Sequence, residues 1–183
     1  MGERKTYHRG RRKKKKGGII STLILIIAIA VFCVSGYQLY KIFGGYHQGK
    51  SEYDKVREVA VHGDDKDEDE FVVDFDELKK INADTVGWIR FYPEPSQISY
   101  PLVQTTDNDL YLNRTFSANE NTVGAIFVNC DNASDFSDRN TIIYGHRMKD
   151  HSMFHDLEKY EDESFWKENP YFYIYTPDGR KLT

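Results

Sequence analysis

The stretch GWIRFYPEPSQISYPLVQ, residues 87–104, decides the fold class. Two runs of β-branched and aromatic residues, GWIRFY (87–92) and ISYPLVQ (98–104), flank a segment broken by Pro93 and Pro95. Such runs read as strands, and prolines between them read as a turn. Outward from this pair the pattern repeats in GAIFVNC (124–130), TIIYG (141–145) and YFYIYT (171–176). Turn signals at Asn108, Asn119, Asn121, Asp131–Asn132 and Pro177–Asp178–Gly179 separate the runs. Two helices are expected besides. Asp74 or Asp76 is placed to cap a short one through Ile81, with Phe75, Leu78 and Ile81 as its apolar face. The other spans 153–168, with Met153, Phe154, Leu157, Tyr160 and Phe165 inward. The reading is mostly β. Five runs do not close a barrel easily. The last turn signal should also open another strand shortly before Thr183, so the domain reads as C-terminally incomplete.

Charge and hydropathy place this domain behind an anchor. The 183 residues carry a formal net charge of −4, unevenly spread. Residues 1–16 hold nine Lys/Arg and one acid; the rest holds 16 basic and 28 acidic residues, a balance of −12. A Lys/Arg cluster can bind nucleic-acid phosphates. The stretch that follows favours a membrane instead. Ile19 to Gly36 is uncharged and apolar, and Tyr37, Leu39, Tyr40, Ile42 and Phe43 extend it. Roughly 20 apolar residues cross a bilayer core, and flanking Lys/Arg keep their end in the cytoplasm. The run exceeds a signal-peptide core and lacks an A-x-A site. The expected organisation is a basic cytoplasmic tail (1–18), a transmembrane signal anchor (19–43), an extracellular stalk and acidic linker (44–70) and a partial globular domain (71–183). Within the linker, 51–61 has a weak helical pattern. GDDKDEDE (63–70) lacks the ligand spacing of a calcium loop and reads as a solvated spacer.

There are two cysteines, Cys33 in the apolar run and Cys130 beyond it, so no internal disulfide framework is expected outside the membrane. The densest chemistry lies in NTIIYGHRMKDHSMFH (140–155). His146 follows a strand and a glycine, where a rigid scaffold can aim an imidazole that exchanges protons near neutral pH. His151 and His155, spaced i, i+4, would share a helix face. No Asp or Glu completes a recognised zinc pattern with them, so no metal and no cofactor are expected.

The segment YGHRMKDHSMFHDL (144–157) resembles the histidine motif of class B sortases. INADTVGWI (81–89), ISYPLVQTTDNDLYL (98–112), GAIFVN (124–129) and NTIIYGH (140–146) resemble the same family in the same order, so the likeness covers about 70–183. It implies a sortase-like β-barrel with short helices behind one N-terminal transmembrane helix. It also implies a cysteine transpeptidase that joins surface proteins to the Gram-positive cell wall. A thiolate attacks a sorting motif, and an amine of the peptidoglycan precursor opens the thioacyl intermediate. A histidine moves the proton and an arginine steadies the oxyanion. The expected partners are a sorting-motif-bearing surface protein, that amine and the membrane, with no nucleic acid. His146 matches the catalytic histidine. The nucleophile and arginine do not carry over, because no cysteine follows His146. Cys130 lies in a turn unlike the nucleophile motif, and neither Arg147 nor Arg180 is assigned the oxyanion. The chain thus reads as the front part of such an enzyme, inactive alone. The alternatives are a non-catalytic tethered binding or adaptor domain and a metal-dependent hydrolase using His146, His151 and His155. Trp88, Phe91, Tyr92, Tyr171, Phe172, Tyr173 and Tyr175 could line a peptide groove, but strand alternation makes most of them core. Asn108 should shape a turn, and Asp150 could orient His146 only if its loop folds back.

Overall fold

A computed structural model describes residues 17–63 and 70–183. The basic tail and most of the acidic run, 1–16 and 64–69, lie outside the described residues. The chain divides into two compact units, Met1–Lys41 and Ile42–Thr183.

In the first unit the described residues are helical and belong to α1 (Gly17–Ala60). Their large apolar side chains, from Ile19 through Tyr40, are exposed. Mean hydropathy over an 18-residue window reaches 2.7, so the helix is long and apolar enough to cross a membrane.

The second unit begins earlier than the composition of 44–70 suggests. Residues 42–60 of α1 are not a stalk: Tyr53, Val56 and Ala60 are buried. Glu52 accepts from Ser117 N–H at 2.9 Å and Asn119 Nδ2 at 3.2 Å, and Asn121 Nδ2 donates to Gly45 O at 2.9 Å. Glycines and scattered charges hide the pattern, because only one narrow stripe of this helix meets the domain. Two short strands follow, β1 (Val61–His62) and β2 (Val72–Val73), paired antiparallel across the acidic run.

Helix α2 (Phe75–Ile81) is capped by Asp74, whose carboxylate accepts from the N–H groups of Asp76 and Glu77. Its buried contact is Leu78; Ile81 is exposed, so the apolar face is narrower than expected. The main sheet has the linear order β6-β5-β4-β3-β7-β8. Its members are β3 (Thr85–Phe91), β4 (Ser99–Val103), β5 (Ile126–Val128), β6 (Ile143–Tyr144), β7 (Phe172–Tyr175) and β8 (Lys181–Leu182). β4 and β7 flank β3 antiparallel, and β5 runs parallel to β4. All five expected strands form, and β8 is the strand foreseen after Gly179. The order does not close on itself, and β6 and β8 end it.

β3 is buried along nearly its whole length and centres the core, with Trp88, Ile89 and Phe91 meeting Leu102, Val103, Ile174 and Tyr175. Trp88 Nε1 donates to Ser99 Oγ at 3.0 Å, so even its polar atom is satisfied. The helix expected over 153–168 is two pieces. A 3₁₀ segment (His155–Glu161) leads to Asp162, which caps α3 (Glu163–Glu168). Asp162 accepts from Ser164 N–H and so starts a new helix rather than continuing the old one.

Candidate active site

β6 runs antiparallel to β5 at one end of the sheet, and His146 lies two residues beyond it. The motif's glycine precedes it for a steric reason: a Cβ on Gly145 would stand 2.5 Å from Cδ2 of Phe154. Phe154 returns over the strand end, and its N–H donates to His146 O at 2.9 Å. Arg147 and Met153 bridge antiparallel, which closes the loop 147–153. Met153 is buried, and its N–H donates to Tyr100 Oη at 3.1 Å.

The half-buried imidazole rests on a seat built by two distant segments. His146 Nε2 stands 2.7 Å from Leu112 O. A carbonyl can only accept, so Nε2 carries the proton and Nδ1 is left to take or give one. On the ring's flank is Gly124, with φ of +66°. A Cβ there would lie 2.8 Å from His146 Cδ2 and 2.9 Å from the carbonyl oxygens of both Tyr111 and Leu112. Only glycine allows this approach.

The segment TTDNDLYL folds into the turn that presents Leu112. Asp107 accepts from the N–H groups of Asp109 and Leu110 at 2.8 Å each, and these bonds hold its carboxyl below the usual range. Tyr111 is buried; its hydroxyl donates to Asp84 Oδ2 at 2.8 Å and accepts from Asn82 Nδ2 at 2.7 Å. Burial first, and then the Asp84 carboxylate, push its pKa up to about 12 against the opposing Asn82 donor. Thus INADTVGWI and the LYL turn, both read in the sequence, act together as His146's support. Asn108 shapes more than a turn, since its Oδ1 accepts from Cys130 N–H at 2.9 Å.

The other polar candidates go elsewhere. Cys130 is a free, half-buried thiol; among the described residues no side chain hydrogen-bonds its sulfur. Arg147 pairs with Glu158. Arg180 Nε meets Asp178 Oδ2 at 2.6 Å and its Nη2 donates to Asp135 O at 3.0 Å, on the β7–β8 turn at the other end of the sheet. Asp150 accepts from Ser152 Oγ at 2.6 Å and Ser152 N–H at 3.2 Å, so the loop does not aim it at His146. His151 and His155 do not share a helix face, because His151 sits in the loop with φ of +65°. Their rings nevertheless meet, with centroids 4.1 Å apart, and Asp156 joins them. The sequence pattern missed that acid because it follows His155 directly and reaches the pair only through the loop's fold.

Trp88, Phe91, Tyr173 and Tyr175 are core, whereas Tyr171 and Phe172 are exposed. An open apolar groove of about 480 Å³ adjoins β6, lined by Ile89, Phe91, Ile143, Phe154, Leu157 and Phe172 among others. Ile143 and Phe154 connect this groove to the strand and loop that carry His146.

With this geometry in place, comparison gives a consistent answer. No protein-family model matches the chain. It is 36% identical to Sortase B of Listeria monocytogenes over 155 residues, covering 80% of this chain and 60% of the relative. Sortase B of Staphylococcus aureus is 30% identical over 148 residues, covering 81% of this chain and 60% of that protein. Sortase B from Bacillus anthracis, solved in complex with AAEK1, superposes with a TM-score of 0.63 at 36% identity, over 73% of this chain and 63% of that one. Clostridium perfringens sortase B gives 0.54 at 34% identity, over 59% and 57%.

The chain is homologous to the class B sortases.

Its second unit has the sortase fold, sheet-rich with short helices, as the ordered motifs implied. The chain spans about 60% of the length of the curated sortase B relatives it matches.

Proposed function

We propose that the chain is the histidine-bearing part of a membrane-anchored, class B sortase-like cysteine transpeptidase, with His146 as its acid–base residue. The observation that carries this reading is the seat of His146. Nε2 is bound to Leu112 O at 2.7 Å, which leaves Nδ1 as the exchanging atom. A hydrogen bond to one ring nitrogen fixes the tautomer and orients the other for proton exchange. In the proposed reaction, a thiolate attacks the sorting-motif carbonyl of a surface protein and the imidazolium protonates the departing amine. The neutral ring then takes the proton from the incoming amine of the peptidoglycan precursor. In this reading the thiol and the oxyanion-binding arginine come from sequence corresponding to the part of the relatives that residues 1–183 do not span. Arg147 is paired with Glu158 and Arg180 with Asp178, and Cys130 lies in a turn whose N–H is held by Asn108.

The apolar helix supports the anchoring half of the proposal. Lys/Arg-rich 1–16 would stay in the cytoplasm, and the unit from Ile42 would face outward. The adaptor reading is less favoured, since an adaptor has no need of an imidazole with one nitrogen held and the other open.

A chimera tests the proposal. Residues 1–183 are joined to the C-terminal part of Listeria monocytogenes sortase B that lies beyond the match and assayed on a sorting-motif peptide cleaved by that enzyme. Cleavage is expected, with a loss of about 10²–10⁴-fold in His146→Ala. Residues 1–183 alone should not cleave. Cleavage by 1–183 that disappears in Cys130→Ala would overturn the assignment, as would a His146→Ala chimera of full activity.

A further inference from the structure

We propose that His151, His155 and Asp156 form a binding site for a single divalent transition-metal ion, with zinc the best match to the donors. One donor atom from each residue lies within 4.8 Å of the other two. His151 Nδ1 is 3.5 Å from Asp156 Oδ1, and the two rings are in contact. Zinc bonds of 2.0–2.2 Å in a tetrahedron put donor atoms roughly 3.3 Å apart. The cluster therefore has to contract by up to about 1.5 Å on loading. His151 can supply that movement, since its side chain is 69% exposed on the loop, whereas Asp156 is held in place at 6%.

An ion-pair network without metal accounts for part of this arrangement. A protonated His151 facing Asp156 would be satisfied. It does not account for His155. That ring is buried, and its Nδ1 has no hydrogen-bond partner among the described residues. Buried nitrogens of this kind are rare in native folds and call for an explanation. His155 Nε2 stands 3.1 Å from Glu158 Oε1, so Nε2–H donates to the carboxylate and Nδ1 keeps a lone pair. A carboxylate behind a histidine is how metal-binding imidazoles are oriented and made more basic. Glu158 is in turn held by Arg147. Asp156 has the same division of labour: Oδ2 takes Lys159 Nζ at 2.8 Å, leaving Oδ1 toward His151. Two imidazoles and one carboxylate suit zinc and exclude magnesium or calcium, which want oxygen shells. Lys159 is a nearby positive charge and will temper the affinity.

The ion would brace the loop that leaves His146. His151 and Met153 both have left-handed backbones, φ +65° and +57°, which side chains other than glycine's tolerate poorly. Loop 147–153 would then be fastened at its far end by the metal and at its near end by the Phe154–His146 bond.

The test uses the untagged full chain in detergent micelles, titrated with zinc by calorimetry and with cobalt by visible absorption. One saturable equivalent is expected, with d–d bands of a tetrahedral nitrogen–oxygen site. His151→Ala, an exposed position that folding should tolerate, should weaken binding at least tenfold, and Glu158→Gln by about 10–100-fold. His62→Ala should change nothing. Zinc should also shift the Nδ1 resonance of His155 in the wild-type chain, which needs no variant to fold. Absence of saturable binding, binding equally tight in His151→Ala, loss in His62→Ala or an unmoved His155 resonance would each overturn the proposal.

Discussion

Gly124→Ala should both destabilise the domain and unseat His146. The added Cβ meets two kinds of penalty. The first is conformational: φ of +66° is left-handed, and an L side chain there costs roughly 1–2 kcal/mol. The second is steric. The Cβ would stand 2.8 Å from His146 Cδ2 and 2.9 Å from the carbonyl oxygens of Tyr111 and Leu112. The imidazole can swing away; the two carbonyls, fixed by the Asp107 turn and buried Tyr111, cannot. Overpacking of this kind typically costs about 1–3 kcal/mol. Together the loss is about 2–5 kcal/mol. At roughly 2–4 °C per kcal/mol for a unit of this size, the melting temperature should fall by about 4–20 °C. The assay is thermal unfolding of the full chain in detergent, beside Gly179→Ala as a control. Gly179 has φ of +84° but nothing within 4 Å of a Cβ, so that variant loses only the conformational part. The His146 imidazole resonances should also move in Gly124→Ala, because the Nε2–Leu112 bond lengthens as the ring retreats. Equal melting of the two glycine variants, with unmoved His146 resonances, would refute the reasoning.

Tyr53→Phe should lower stability by about 1–3 kcal/mol in denaturant unfolding, because it leaves Gly124 O and Phe116 N–H buried without their hydroxyl partner. An unchanged midpoint would mean that residues 42–60 are not part of the cooperative unit. Asp107→Ala should destabilise at neutral pH but converge with wild type in acid. The Asp107 carboxyl is held below its usual range in the folded state by two N–H donors, so its contribution is present above the unfolded pKa and fades as pH falls through the folded one. Melting curves compared from pH 7 to pH 3 check this, and a difference that persists in acid would exclude it. Placing lysine at both Ile26 and Ile27 should release the chain from carbonate-washed membranes, since each lysine at the centre of a span costs about 2.5–3.5 kcal/mol. Retention of that variant in the membrane pellet would argue against the span.

Much of this protein was readable from residue order alone. β-branched and aromatic runs cut by Pro, Asn and Gly can pair only as strands, and the expected five appear. An uncharged run beside nine basic residues has few readings in water, so the candidate span was evident too. His146 stood out because a Gly-His pair after a strand belongs to several ordered motifs. Tertiary structure decided what these pieces do for one another. The seat of His146 joins Leu112, Gly124 and residue 146, and sequence carries no signal for contacts 34 positions apart. The packing of 42–60 was hidden because a helix binds through one narrow stripe while its composition averages over every face. Asp156 was invisible as a partner of His151 and His155 for a related reason: helical spacing predicts which side chains share a face, but a loop with left-handed residues brings together groups that no periodicity relates. Local propensity sets the elements, and the burial of distant surfaces against each other sets the chemistry.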